Sequence, residues 1–394
     1  MKLLQPLPRN VWILGFVSLL TDISSEMIHS VLPLFLVTTL GTSLPIVGII
    51  EGVAESTASI LKIFSGALSD YWGRRKELAI TGYGLSTVVK PLFAIATSPV
   101  WVLLARFADR VGKGIRVAPR DALVADTTDV RYRGAAYGLR QSLDTIGAFL
   151  GPLSATGLMA LSGQNFRLVF WVAVVPGILA VSLLAVGVRE PSQPKQLRGN
   201  PLQWHNLKSL GRNYWLLVGV ALLFNLGNSS DAFLLLRSQQ VGIAISIVPL
   251  SLVVMNLTYL LSAYPIGVLS DRIGRLGLLA SGFFLYALVY LGFAFANTSW
   301  QIWVLFALYG LHLGMSKGVL LAVVADHVPV RLRGTAFGLV NLVTGAALLP
   351  ASLMAGVLWQ WVNPQATFVV GSLFAIAASI LLVLTYSRQK KWNG

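Results

Sequence analysis

The 394-residue sequence contains no cysteine, which removes disulfides, thiolate metal ligands and thiol redox chemistry and leaves the compartment unmarked by cysteine usage. Charge is scarce as well: 11% of the residues are Asp, Glu, Lys or Arg against 55% hydrophobic, and the mean hydropathy is +0.73, which excludes an ordinary soluble domain of this length. The four histidines form no cluster with Asp or Glu at ligand spacing, so neither a metal centre nor a Ser-His-Asp arrangement is expected, and no cofactor. Acids are scarcer than bases, 15 against 30, for a net charge of +15. In a soluble protein that excess suggests nucleic acid. Here the apolar background and the placement of the bases make it topological, so no nucleic-acid partner is expected.

What the sequence has in place of charge is long apolar runs. Twelve are long enough to cross a bilayer, at roughly 12–37, 45–69, 78–96, 100–125, 134–161, 168–188, 214–236, 244–269, 276–296, 302–325, 334–359 and 368–384. The first follows a short basic front, Lys2 and Arg9, but continues without a small-residue cleavage pattern, so it reads as a retained helix rather than a signal peptide. Bases concentrate in alternate connections: Arg74, Arg75 and Lys76, then Arg131 and Arg133, Arg272 and Arg275, Arg331 and Arg333, and Arg388 to Lys391. The other connections hold little beyond Arg167 and Arg237. The positive-inside bias then puts both termini on the cytoplasmic side of a plasma (inner) membrane. The polar stretch 189–213, with Pro191, Pro194 and Pro201, reads as a cytoplasmic linker between two six-helix bundles, 1–188 and 214–394.

The two halves echo each other. GALSDYWGRRK from Gly66 returns as GVLSDRIGR from Gly267, and VADTTDVRYRGAAYGL from Val124 returns as VADHVPVRLRGTAFGL from Val324. Several blocks in register within apolar halves point to a duplicated membrane protein.

On these residues the sequence resembles the major facilitator superfamily over essentially its full length. The resemblance implies an all-α fold of twelve transmembrane helices in two pseudo-symmetric six-helix bundles, working as a monomer on a small-molecule substrate within the lipid bilayer. Gly66, Asp70, Gly73, Arg74 and Arg75 match the family's signature loop, with a degenerate copy at Gly267, Asp271, Gly274 and Arg275. By that resemblance the loop is a conformational latch, and Asp126 is the partner of Arg74. Helix five carries Gly138, Gly147, Gly151 and Pro152, similar to the pattern of the family's proton-coupled exporters, where the glycines pack closely against a helix of the other half. Ala155 and Thr156 stand where that pattern closes on Gly-Gly. The fourth-helix motif matches loosely at Arg106 and Gly112, but Asp109 and Arg110 replace its usual Gln and Gly.

Ionisable residues inside membrane spans are costly and mark function. Helix one has Asp22, Glu26 and His29 on one face, helix two Glu51, Glu55 and Lys62, and helix three Lys90. Helix four carries Arg106, Asp109, Arg110, Lys113, Arg116 and Arg120, and helix five Arg140 and Asp144 one turn apart. Counting the helical rise places Asp22, Arg110, Lys113 and Asp144 near the midplane. The second half is sparser, with Asn225, Asn228, Asp231, His312 and Lys317, and is expected to supply apolar wall from Phe224, Tyr259 and Phe306. A carboxylate among bases suits a proton carrier, Asp22 or Glu26 first and Glu55 or Asp144 next. The expectation is a non-enzymatic secondary transporter that exchanges protons for a small organic compound, with room for an anionic one. A symporter or uniporter importing a metabolite, metal chelate or siderophore is the alternative.

Overall fold

The computed structural model describes residues 7–129, 132–190, 210–328 and 333–392. The side chains at 63, 67, 70, 133, 134, 271, 273, 333–335 and 385–392 are outside that description. The side chains of Asp70 and Asp271, the carboxylates of the signature loop and its copy, and most of the 189–213 linker therefore lie outside that description.

Among the described residues the chain is helical without strands. In order it forms α1 (Arg9–His29), α2 (Leu32–Leu34) with a π-helical turn at Phe35–Thr39, α3 (Leu44–Trp72), α4 (Arg75–Val88), α5 (Lys90–Ile95), α6 (Pro99–Asp126), α7 (Arg133–Leu161) and α8 (Phe166–Gly187). Then follow α9 (Arg212–Gly227), α10 (Ala232–Gln240), α11 (Leu250–Ile273), α12 (Arg275–Phe295), α13 (Ser299–Asp326), α14 (Arg333–Trp361) and α15 (Pro364–Trp392). Among the described residues ten helical stretches are long and apolar enough to cross a membrane; α6 and α7 are as long but are not among the ten.

The repeat read from sequence is repeated in the element boundaries. Residues Arg75–Ile95, broken once before Pro91, correspond to α12 at Arg275–Phe295, α6 ends at Asp126 as α13 ends at Asp326, and α7 begins at Arg133 as α14 begins at Arg333. Local chemistry explains the shared starts. Pro99 sits in the first turn of α6, where its missing N–H is no loss, and α13 is opened by a capping box between Thr298 and Gln301.

The contacts divide into two compact units, Met1–Leu40 with Thr57–Pro201, and Gly41–Ser56 with Leu202–Gly394. The first part of α3 thus packs in the second unit, where Ser56 Oγ donates to the Gly345 carbonyl of α14 at 2.8 Å. In the first unit Val11, Leu14 and Val17 of α1 pack with Ala79 and Tyr83 of α4, Leu123 of α6, Ala136 of α7 and Leu184 of α8. The second unit's core is aromatic: Phe224 stacks on Phe283 with centroids 4.0 Å apart, and Tyr286 on Tyr290 at 4.1 Å. Large apolar side chains such as Leu161 and Val186 remain outward-facing, as a lipid-contacting surface requires.

The two bases in the sparse connections have structural work. Arg237, buried at the end of α10, donates to the carbonyls of Phe293, Ala294 and Ala296 at 3.0, 3.2 and 3.0 Å. Arg167 does the same for Ala94 and Ala96 at 2.7 and 2.9 Å. Each guanidinium satisfies orphan carbonyls at a helix C-terminus, α12 in one unit and α5 in the other.

Candidate functional site

In the first unit α1 lies along α7, and the acids expected to carry protons sit on that contact. A Cβ added at Gly147 would stand 2.6 Å from the Leu19 carbonyl oxygen and 2.8 Å from Asp22 Cβ. One at Gly151 would stand 2.6 Å from Glu26 Cβ. The glycine face of helix five therefore seats Asp22 and Glu26. This corrects the expectation that these glycines pack against the other half: their partner is α1 of the same unit. The spacing Gly147, Gly151 defined a face without naming what covers it, and Gly138 has nothing within 4 Å of its added Cβ.

The charged neighbours of Asp22 are Asp144, Glu26, Lys113 and Arg116, so three of the four residues placed near the midplane do come together. Arg110 instead approaches the adjacent Asp109, Nε to Oδ2 at 3.7 Å. The Asp109 surroundings also include Lys90, Arg116 and Arg106. Lys90 is buried at the α4–α5 break and donates to Ser24 Oγ and, at 3.3 Å, to Ser25 Oγ. Arg116 lies over the Tyr83 ring at 4.7 Å and donates to Ser86, whose Oγ donates to the Asp109 carbonyl at 3.0 Å.

Toward the end of α6 the charges close into a four-membered set. Arg120 meets Asp121 at 2.9 Å and Asp144 at 4.0 Å, while Arg140 meets Asp121 at 3.7 Å and Asp144 at 3.5 Å. Asp121, not among the expected site residues, stands between two buried arginines: Arg120 is its neighbour in α6, and Arg140 reaches it from α7. Across the unit Lys62, Lys90, Arg106, Arg110, Lys113, Arg116, Arg120 and Arg140 outnumber Asp22, Glu26, Asp109, Asp121 and Asp144.

Glu51 and Glu55 belong to the part of α3 in the second unit. Ser230 Oγ donates to Glu51 Oε2 at 3.4 Å, and the charged neighbours of Asp231 are Lys317, Glu55 and Glu51. Asp231 stands at the interruption between α9 and α10 and accepts a hydrogen bond from Tyr309 at 2.9 Å. Tyr286 donates to the Gly227 carbonyl at 3.1 Å and Asn228 Oδ1 at 3.2 Å, covering backbone that the interruption frees. Lys317 Nζ lies 5.4 Å from the Tyr259 ring centre. Phe224 and Phe306, expected on an apolar wall, are buried in the unit's own core. The tyrosines were missed because a Tyr within an apolar run reads as packing.

At the signature loop and its copy, Gly73 and Gly274 both turn the chain with positive φ, +63° and +100°, which a side chain at either position would oppose. Asp126 pairs with Arg75, not Arg74. Arg74 precedes the helix and turns to Glu77 at 3.1 Å on the surface, whereas Arg75 is the first residue of α4. Its counterpart is Arg275, first residue of α12, which meets Asp326 at 2.7 Å. The glycines repeat at 201 and the pairing arginines at 200, so the base beside Gly73 that the resemblance pointed to is not the one that pairs. Glu190 accepts from the Arg75 amide at 2.6 Å and from the Lys76 amide at 3.1 Å, occupying the α4 N-terminus. Arg75→Gln is expected to slow substrate flux in proteoliposomes several-fold, with partial recovery in Arg75→Asp/Asp126→Arg, and Arg74→Gln to leave it near wild type. Equal losses in both single variants would remove Arg75 from the latch.

The family model of the Major Facilitator Superfamily matches residues 14–248 and 232–394. The chain belongs to this superfamily and is a multi-pass membrane transporter. An uncharacterised MFS-type transporter of Methanocaldococcus jannaschii is 34% identical over 386 residues, 96% of this chain and 95% of the relative. The multidrug resistance protein MdtH of Yersinia enterocolitica is 33% identical over 142 residues only, 36% of this chain and 34% of that protein. Among solved structures, the nucleoside transporter NupG aligns with a TM-score of 0.78 at 14% identity over 95% of this chain and 99% of its own. A peptide transporter POT aligns with a TM-score of 0.79 at 14% identity, covering 97% and 95%. These two likenesses establish the shared fold.

Proposed function

We propose that this protein is a proton-coupled antiporter that exports a small organic compound bearing an anionic group, by alternating access. The observation that carries the reading is the seating of Asp22 and Glu26 on the glycine face of α7, next to Asp144, Lys113 and Arg116. A carboxylate held there can exchange a proton, and the loss or gain of its charge changes what α1 pays electrostatically to stay against α6 and α7. The excess of bases in the same unit offers an anionic group its counter-charge. The protein works without enzymatic chemistry, as a monomer, in the plasma (inner) membrane with both termini cytoplasmic. Its twelve spans form bundles 1–188 and 214–394 joined by 189–213, with the α4 and α12 starts as cytoplasmic latches. Partial similarity to a multidrug resistance protein supports export. Ala155 and Thr156, where the exporter pattern has Gly-Gly, favour the importing alternative.

The absence of native cysteine makes labelling clean. Spin-label pairs at Tyr71→Cys/Arg272→Cys and at Val100→Cys/Trp300→Cys use exposed positions at opposite ends of their helices. Acidification, and Asp22→Asn at neutral pH, should shorten one pair distance as the other lengthens, by several ångströms. Distances that ignore both, or that move in the same sense, would reject alternating access linked to Asp22.

A further inference from the structure

The second unit contains an arrangement of opposite charges that the proton reading does not use. Asp231 and Lys317 are electrostatic neighbours, yet no ion pair joins them. Both are at least partly open: Asp231 is half-buried and Lys317 is exposed. A lysine exposed at mid-helix within a membrane protein faces an aqueous space rather than lipid.

Each charge is held from behind. Tyr309 donates to Asp231 Oδ1, leaving Oδ2 to accept from elsewhere, and the Tyr259 ring supports Lys317 Nζ at 5.4 Å. Asn228 Oδ1 accepts from Tyr286, which orients the amide so that its NH2 group can donate. The acid end is reinforced by Glu51 and Glu55, the other charged groups facing Asp231. Beside it, the buried hydroxyls of Ser229 and Tyr290 lie next to one another. Lys317 is eight residues along α13 from Tyr309, about 12 Å of helix rise, so one helix carries both the group that holds Asp231 and the opposite charge.

We propose that the interrupted segment 228–231 and α13 form a recognition site for a small zwitterion, its ammonium group on Asp231 and its carboxylate on Lys317. This rests on the transport reading and names its substrate class: an organic compound whose two ends carry opposite charge. Two fixed, unbridged charges reward a ligand that supplies both counter-charges and leave one group unpaired with a ligand that supplies one. Discontinuous membrane helices are where such charged groups are gathered, because the freed backbone and helix ends add their own polarity.

The test is binding to purified protein in detergent, independent of any flux, read by isothermal titration and by thermal shift. The probes are the straight-chain series from glycine to 6-aminohexanoate, each beside the amine and the carboxylate of equal chain length. One or two lengths of amino acid should bind at least roughly tenfold more tightly than either matched single-charge compound. Asp231→Asn and Lys317→Gln should each remove that preference, the first sparing the carboxylate and the second sparing the amine. If Asp231→Asn does not fold, Lys317→Gln decides alone, since its side chain is exposed. No length showing the preference, or a preference that survives Lys317→Gln, overturns the zwitterion site while leaving proton-coupled transport standing. A retained preference in protein that moves no protons would leave the site standing and reject the coupling.

Discussion

Gly147→Ala and Gly151→Ala should each lower the melting temperature in detergent and cut transport by at least an order of magnitude, while Gly138→Ala leaves both near wild type. All three glycines belong to one motif and one helix, so propensity treats them alike: alanine is favoured over glycine by about 1 kcal/mol in a helix interior. Their surroundings differ. The methyl at 147 would collide with the Leu19 carbonyl oxygen at 2.6 Å and that at 151 with Glu26 Cβ at 2.6 Å, whereas at 138 nothing lies within 4 Å. Backbone cannot yield as a side-chain tip does, so α1 must move away from α7, an overpacking cost of about 1–3 kcal/mol that exceeds the propensity gain. The same displacement carries Asp22 and Glu26 away from Asp144, Lys113 and Arg116, which is why activity should fall further than stability. Similar behaviour of all three variants would show that the α1–α7 contact does not position the acids.

Much of the fold was legible before any coordinates. The apolar runs, the alternation of bases and the repeated blocks come from composition and spacing, which the bilayer constrains more tightly than water does. The shared starts at Arg75 and Arg275 and the shared ends at Asp126 and Asp326 are the same repeat in three dimensions. What could not be read is which surfaces meet. The glycine face of α7 was visible, but its partner α1 was not, because periodicity fixes a face and leaves its neighbour open. Arg74 and Arg75 are adjacent, but Arg75 opens α4 while Arg74 stands before it, so a motif match could not choose between them once the chain turned at Gly73. Glu51 and Glu55 share a helix with Lys62, yet the first part of α3 packs in the second unit with Ser230 and Asp231 while Lys62 has Asp121 and Arg120 for neighbours. The tyrosines behind Asp231 emerged only from tertiary packing.

Asp22→Asn and Glu26→Gln should each abolish substrate-dependent proton movement across proteoliposomes. Each substitution keeps the size and shape of the side chain and removes its ability to take and release a proton, so the packing of α1 on Gly147 and Gly151 is preserved. A folded carrier that can no longer exchange protons should still exchange labelled substrate across a membrane with no pH difference, and that residual exchange separates lost coupling from lost structure. The decisive measurement uses purified protein in vesicles with a luminal pH-sensitive dye, challenged in turn with cationic, anionic and zwitterionic compounds. Wild-type protein should release luminal protons as a substrate enters, with the signal lost in both variants and exchange retained. Proton entry alongside substrate would establish import in place of export. Undiminished proton movement in both variants, or substrate flux in wild-type protein with no proton movement at all, would contradict helix-one coupling and leave Asp22 and Glu26 as structural charges.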